Sequence, residues 1–96
     1  MDNNLIRVEC LARGRVHMVM YRDFVTRKAR ANNIAGRVKN LNDGSVSVIA
    51  EGNVEKISNF LLLLHNGPIF SKVENIEIHY MKPTGEFKDF KIDYEY

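Results

Sequence analysis

The sequence predicts an α+β domain in which two helices cover one face of an antiparallel sheet. Three observations predict it. Alternation of apolar and polar residues marks four extended segments and a short fifth. Two intervening stretches carry apolar residues at steps of three and four. The patterns follow one another in the order β-α-β-β-α-β.

The first segment runs from Leu5 to Arg13. Ile6, Val8, Cys10 and Ala12 share one face and Arg7, Glu9, Leu11 and Arg13 the other, so one face turns toward a core. Residues 14–20 form a loop. Arg22 to Asn33 then reads as a helix, with Tyr21, Phe24, Val25 and Ala29 marking its inner side and Arg27, Lys28 and Arg30 outward. Ile34 to Leu41 and Ser45 to Glu51 are strands around Asn42-Asp43-Gly44, and an Asp-Gly pair between alternating segments signals a hairpin. Val46, Val48 and Ala50 share a face of the second of these.

Asn53 is a favourable N-cap for a second helix, whose stripe is Val54, Ile57, Phe60, Leu61 and Leu64 and whose stop is Gly67-Pro68. Lys72 to Met81 is a strand with Ile76, Ile78 and Tyr80 inward. Lys82-Pro83-Thr84-Gly85 turns the chain, and Phe90, Ile92, Tyr94 and Tyr96 alternate in a last short strand. This order is the ferredoxin-like split arrangement. Residues 1–4 are expected as a flexible lead and residues 5–96 as one domain.

Composition narrows the class. The 96 residues suffice for one domain, and 45% hydrophobic with 27% charged residues is ordinary globular usage. The longest apolar run, Phe60 to Leu64, is far short of the ~20 residues that span a bilayer. Residues 1–4 are polar and lack the apolar core of a signal peptide. Cys10 stands alone, so no internal disulfide forms, and its place among core residues reads as a buried small hydrophobe. A cytoplasmic monomer without a membrane partner is expected. Net charge is +2, and the aromatic-glycine signature of an RNA-recognition sheet is absent, which speaks against nucleic acid. His17, His65 and His79 lie in three different elements with no metal-ligand spacing.

Charge is unevenly spread. Residues 1–48 hold nine Lys/Arg against four Asp/Glu, and residues 49–96 hold five against eight. All seven arginines lie in the first half, and arginine suits bidentate contact with phosphate or carboxylate.

Fold alone selects no activity, so function must come from a site. Two segments qualify. Residues 14–22 join a strand to a helix, where unbonded N–H groups and the helix dipole favour an anion. Arg22, in the first helical turn, either joins that concavity or is a surface arginine after an ordinary loop. Residues 36–44 end a strand in a turn. The Asn40 amide either handles a water molecule or belongs to the turn, as Asn often does.

Together the two segments resemble a known signature pair. Gly14-x-Val16-x-x-Val19-x-Tyr21-Arg22 and Gly36-x-Val38-x-Asn40-x-x-Asp43-Gly44 are similar to the acylphosphatase motifs. The likeness continues through Ala50-Glu51-Gly52, Gly67-Pro68, Val73, Pro83-Thr84-Gly85-Glu86-Phe87, Phe90 and Ile92. It implies hydrolysis of acyl phosphates to a carboxylate and inorganic phosphate, with no metal and no cofactor. It carries the catalytic phosphate-binding role to Arg22 and the water-orienting role to Asn40. The amides of His17, Met18, Val19, Met20 and Tyr21 are implied as the phosphate-binding loop.

Two loop positions depart from the family pattern. His17 stands where Gln is usual and Met18 where Gly is usual. A glycine there supplies positive φ or close backbone approach, and a non-glycine residue in that region costs roughly 1–2 kcal/mol. Met18 therefore motivates a second reading, an anion-binding relative that is catalytically weak or inactive.

Overall fold

The computed structural model describes residues 4–94. Seven elements follow in the order β1 (Leu5–Arg15), α1 (Tyr21–Ala31), β2 (Ala35–Asn40), β3 (Val46–Asn53), α2 (Val54–Asn66), β4 (Lys72–Met81) and β5 (Phe90–Ile92). They form one sheet in the order β4-β1-β3-β2-β5. The first four strands are antiparallel, as expected of a ferredoxin-like sheet. β5 joins in parallel beside β2, so the whole sheet is mixed.

The core lies on one face. Val8, Cys10 and Ala12 of β1, Val38 of β2, and Val46, Val48 and Ala50 of β3 point into it. Tyr21, Val25 and Ala29 of α1 and Ile57, Phe60 and Leu64 of α2 meet them there. Phe60 and Phe90 pack edge to face at 6.1 Å between centroids. Asn53 caps α2 by accepting from Glu55 N at 2.9 Å, and Gly67 ends it at φ 65°. Asp43 closes the hairpin by accepting from Ser45 N at 2.9 Å.

Some expectations need correction. Tyr80 is exposed rather than inward, because β4 is the outer strand of the sheet and, among the described residues, no strand lies beyond it. Val54 opens α2 from the solvent side, with the buried stripe starting at Ile57. The last strand ends at Ile92, so Tyr94 lies beyond it, and Tyr96 falls outside the described residues. Residues 1–3 are likewise outside them, while the Asn4 carbonyl accepts from Val54 N at 3.0 Å. No described helix is long and apolar enough to cross a membrane.

The opposite face carries a buried ionic lock. The Glu51 carboxylate accepts from Arg7 Nη1 at 2.8 Å and from Thr84 N, Thr84 Oγ1 and Gly85 N, each at 2.9 Å. Burial pushes the Glu51 carboxyl up, but the hydrogen bonds from Thr84, Arg7 and Gly85 outweigh it and hold it at about 2. Arg7 also pairs with Glu9 at 2.9 Å and Glu86 at 3.1 Å. Its guanidinium and that of Arg37 flank the Phe87 ring at 5.5 and 5.0 Å. The segment that carries the chain from β4 to β5 is pinned to β1 and β3 in this way.

Candidate active site

A glycine starts the site. The β1–β4 register shifts between Arg13 and Gly14. Gly14 has φ 124°, and a Cβ there would lie 2.2 Å from the Lys72 carbonyl oxygen, so only glycine fits. Val16 then enters the core at 1% exposure, and residues 17–20 climb over the end of the sheet to α1.

That climb is made with unusual backbone. Met18 has φ 57° and Met20 φ 64°, both in the left-handed region. Positive φ at alternate residues turns successive N–H groups toward one side, which is how anion-binding nests are built. Met20 is the N-cap of α1 and offers no side-chain cap. Its carbonyl accepts from Phe24 N at 3.0 Å. Among the described residues no acceptor takes the amides of Met18, Val19, Met20, Tyr21 or Arg22. Unbonded donors at the positive end of a helix dipole are chemically able to receive an anion.

Arg22 follows in the first turn of α1. Its guanidinium lies over the Tyr94 ring at 5.2 Å, and among the described residues it has no carboxylate partner. With Met18, Met20, Ile92 and Tyr94 it lines a concavity of about 220 Å³. Tyr21 also borders this space. Its side chain is buried and its hydroxyl donates to the Leu64 carbonyl at 2.7 Å, so its contribution to the loop is its backbone. Burial raises its phenol above the usual range. Val19 packs against the core.

Asn40 ends β2 on the core face, in line with Val38 and opposite Val46. It is 7% exposed, and its Oδ1 is buried without a hydrogen-bond partner among the described residues. Asn40 does not line the concavity that holds Arg22. The two segments meet instead at the Ser45 carbonyl, which lies 2.9 Å from His17 Nε2 and accepts from Leu41 N at 2.9 Å. His17 thus ties the loop to the hairpin that carries Asn40.

The His17–Ser45 tie and the Tyr94 stack are absent from the sequence reading. The alternation of Tyr94 with Phe90 and Ile92 was the available signal for the second, and nothing local signals the first. Burial pushes the Cys10 thiol up to about 12, which leaves no nucleophilic thiolate near neutral pH. Among the described residues no group of three or more His, Cys, Asp or Glu is placed to hold a metal ion. A larger concavity of about 430 Å³ lies elsewhere, beside Arg30 and Phe90, but the Nε of Arg30 is committed there to the Phe90 carbonyl.

Comparison with known proteins places these residues in context. Residues 8–92 match the acylphosphatase family model. The chain is 38% identical over 86 residues to an acylphosphatase of Methylococcus capsulatus, covering 90% of this chain and 94% of that one. It is 39% identical over 79 residues to an acylphosphatase of Thermus thermophilus, covering 82% and 90%. The crystal structure of acylphosphatase from Bacillus subtilis superposes with a TM-score of 0.90 at 34% identity, covering 93% of this chain and 99% of that one.

Proposed function

The chain belongs to the acylphosphatase family, and from that premise we propose that it hydrolyses acyl phosphates with Arg22 and the 17–21 amides holding the phosphoryl group and Asn40 orienting the attacking water. One observation carries the assignment: the Asn40 Oδ1 is buried with no partner among the described residues. A buried acceptor left unpaired costs about 1–3 kcal/mol, and a water held at the site would offset that cost.

The chemistry needs little more. The water oxygen attacks phosphorus in line. The bridging P–O bond breaks, and its electron pair leaves on a carboxylate, a weak base that needs no proton. One proton of the water passes to a phosphoryl oxygen of the substrate, so carboxylate and dihydrogen phosphate leave. No general base is required, which suits a site whose nearest carboxamide cannot act as one. Arg22 and the unbonded amides supply charge stabilisation, and Asn40 supplies position. No step calls for a metal or cofactor. The reading is completed by a cytoplasmic monomer whose partners are the small acyl phosphate and its product, without membrane or nucleic acid.

Purified protein should hydrolyse acetyl phosphate and benzoyl phosphate at an undiminished rate after exhaustive EDTA treatment. Loss of turnover with EDTA, restored by a divalent metal, would refute metal independence. The second reading, anion binding without turnover, draws on Met18 at φ 57°. Under it, phosphate raises the melting temperature while neither substrate is consumed.

A further inference from the structure

The mouth of the anion site is lined by large side chains that face water. Met18 is 99% exposed, Met20 71% and Tyr94 68%, and the half-buried Ile92 lines the same concavity. A single exposed apolar side chain is unremarkable on a protein surface. Here two methionines flank one residue, both in the left-handed region, beside the Arg22 guanidinium and the aromatic ring stacked on it. An anion gains nothing from such a rim.

An acyl phosphate has two ends, and only the phosphoryl end belongs at the amides and Arg22. Its acyl carbon then lies a few bonds out, at the level of the rim. Resting on the acyl phosphate reading above, we propose that Met18, Met20 and Tyr94 form a contact surface for the acyl group, which makes the site prefer apolar acyl chains of several carbons over acetyl. Methionine suits the role, since its unbranched, polarisable side chain fits ligands of varied shape. Tyr94 is held in place by its contact with Arg22.

A fully buried methylene is worth roughly fourfold in affinity and a half-covered one about twofold. Hexanoyl and acetyl phosphate differ by four methylenes, while their leaving carboxylates are of similar basicity. The kcat/KM should therefore rise roughly tenfold or more from acetyl through butyryl to hexanoyl phosphate.

The variant that tests this combines Met18→Gly with Met20→Asn, residues that tolerate positive φ and remove the apolar rim. The readout is the hexanoyl-to-acetyl ratio, because both positions lie on the loop and absolute rates will change. The ratio should fall to within about twofold. A flat series in the unaltered protein, or a preference that survives both substitutions, overturns the proposal. If no acyl phosphate is consumed, the hydrolytic reading fails by itself. The acyl surface is then read from calorimetric binding of the non-hydrolysable hexanoylphosphonate and acetylphosphonate. Roughly tenfold tighter binding of the longer analogue, lost in the variant, supports it. Equal affinities, or no binding of either, sink it.

Discussion

Two polar clusters lie on opposite faces of β3, near its opposite ends, and they are built in opposite senses. At Glu51 every donor has its acceptor: one carboxylate collects an arginine, a hydroxyl and two backbone amides. At the α1 entry the donors are assembled and, among the described residues, no acceptor takes them, while across the hairpin the Asn40 oxygen lacks a donor among those same residues. Both clusters use an arginine and loop amides. The first has its anion built into the chain, so it holds the fold together. The second, on the function proposed above, takes its anion from the substrate. The contrast separates architecture from function in a domain whose two most distinctive polar sites have nearly the same ingredients.

The largest expected effect breaks the architectural side. Glu51→Ala leaves Arg7 buried without its main partner and should cost about 3–5 kcal/mol, lowering the melting temperature by roughly 15 °C or more. The protein that remains folded should keep its kcat/KM. Acid probes the same group. Its carboxyl is held below the unfolded value of about 4.5, so its stabilisation is complete above that pH and drains away as pH falls toward about 2. A denaturant titration series should show this loss in the parent and a flatter profile in Glu51→Gln.

The functional side breaks the other way. Arg22→Ala and Asn40→Ala should each lower kcat/KM for benzoyl phosphate by roughly 10²–10³. Arg22→Ala should move the melting temperature only slightly. Asn40→Ala should leave it unchanged or raise it, because the orphaned oxygen goes with the side chain. A large drop in stability with either would place these residues with Glu51 instead.

Smaller changes sharpen the line between the clusters. Met18→Gly relieves a left-handed non-glycine residue and should stabilise the protein by about 1–2 kcal/mol, while shifting phosphate affinity. No change in either would remove the strain argument. His17→Ala should cost about 1 kcal/mol or less and loosen the loop against the hairpin, seen as a higher KM. His17→Gln, which keeps a donor for Ser45, should restore it.

How far the sequence exposed these two clusters follows from distance along the chain. Alternation at β1 and β3, the α2 stripe, the Asp43-Gly44 turn and the Asn53 cap are local patterns, and each appears in the structure within a residue or two. Arg22 and Asn40 were visible because neighbouring residues reproduce a family motif. The Glu51 lock was not, since its partners sit on β1 and past β4, and no periodicity links them. Strand order escaped for the same reason: alternation at Phe90 and Ile92 indicates a strand but not that it lies parallel to β2. Left-handed Met20 at the helix cap runs against residue preference and has no signal in the letters. Tyr80 misled because a strand at the sheet margin alternates in the same way as an interior one.

The position of β1 has a consequence for how the molecule comes to exist. Arg7 lies opposite Glu51 on one side and Met81 on the other, so this strand waits for both partners to be synthesised before its two flanks close. Pairings that distant place the entropic cost of closing long loops ahead of the reward for contact. The domain should therefore form after, rather than during, translation of most of its length, on a millisecond-to-second scale. Until then the apolar side of β1 is open to any neighbouring chain, the condition under which a folding intermediate aggregates.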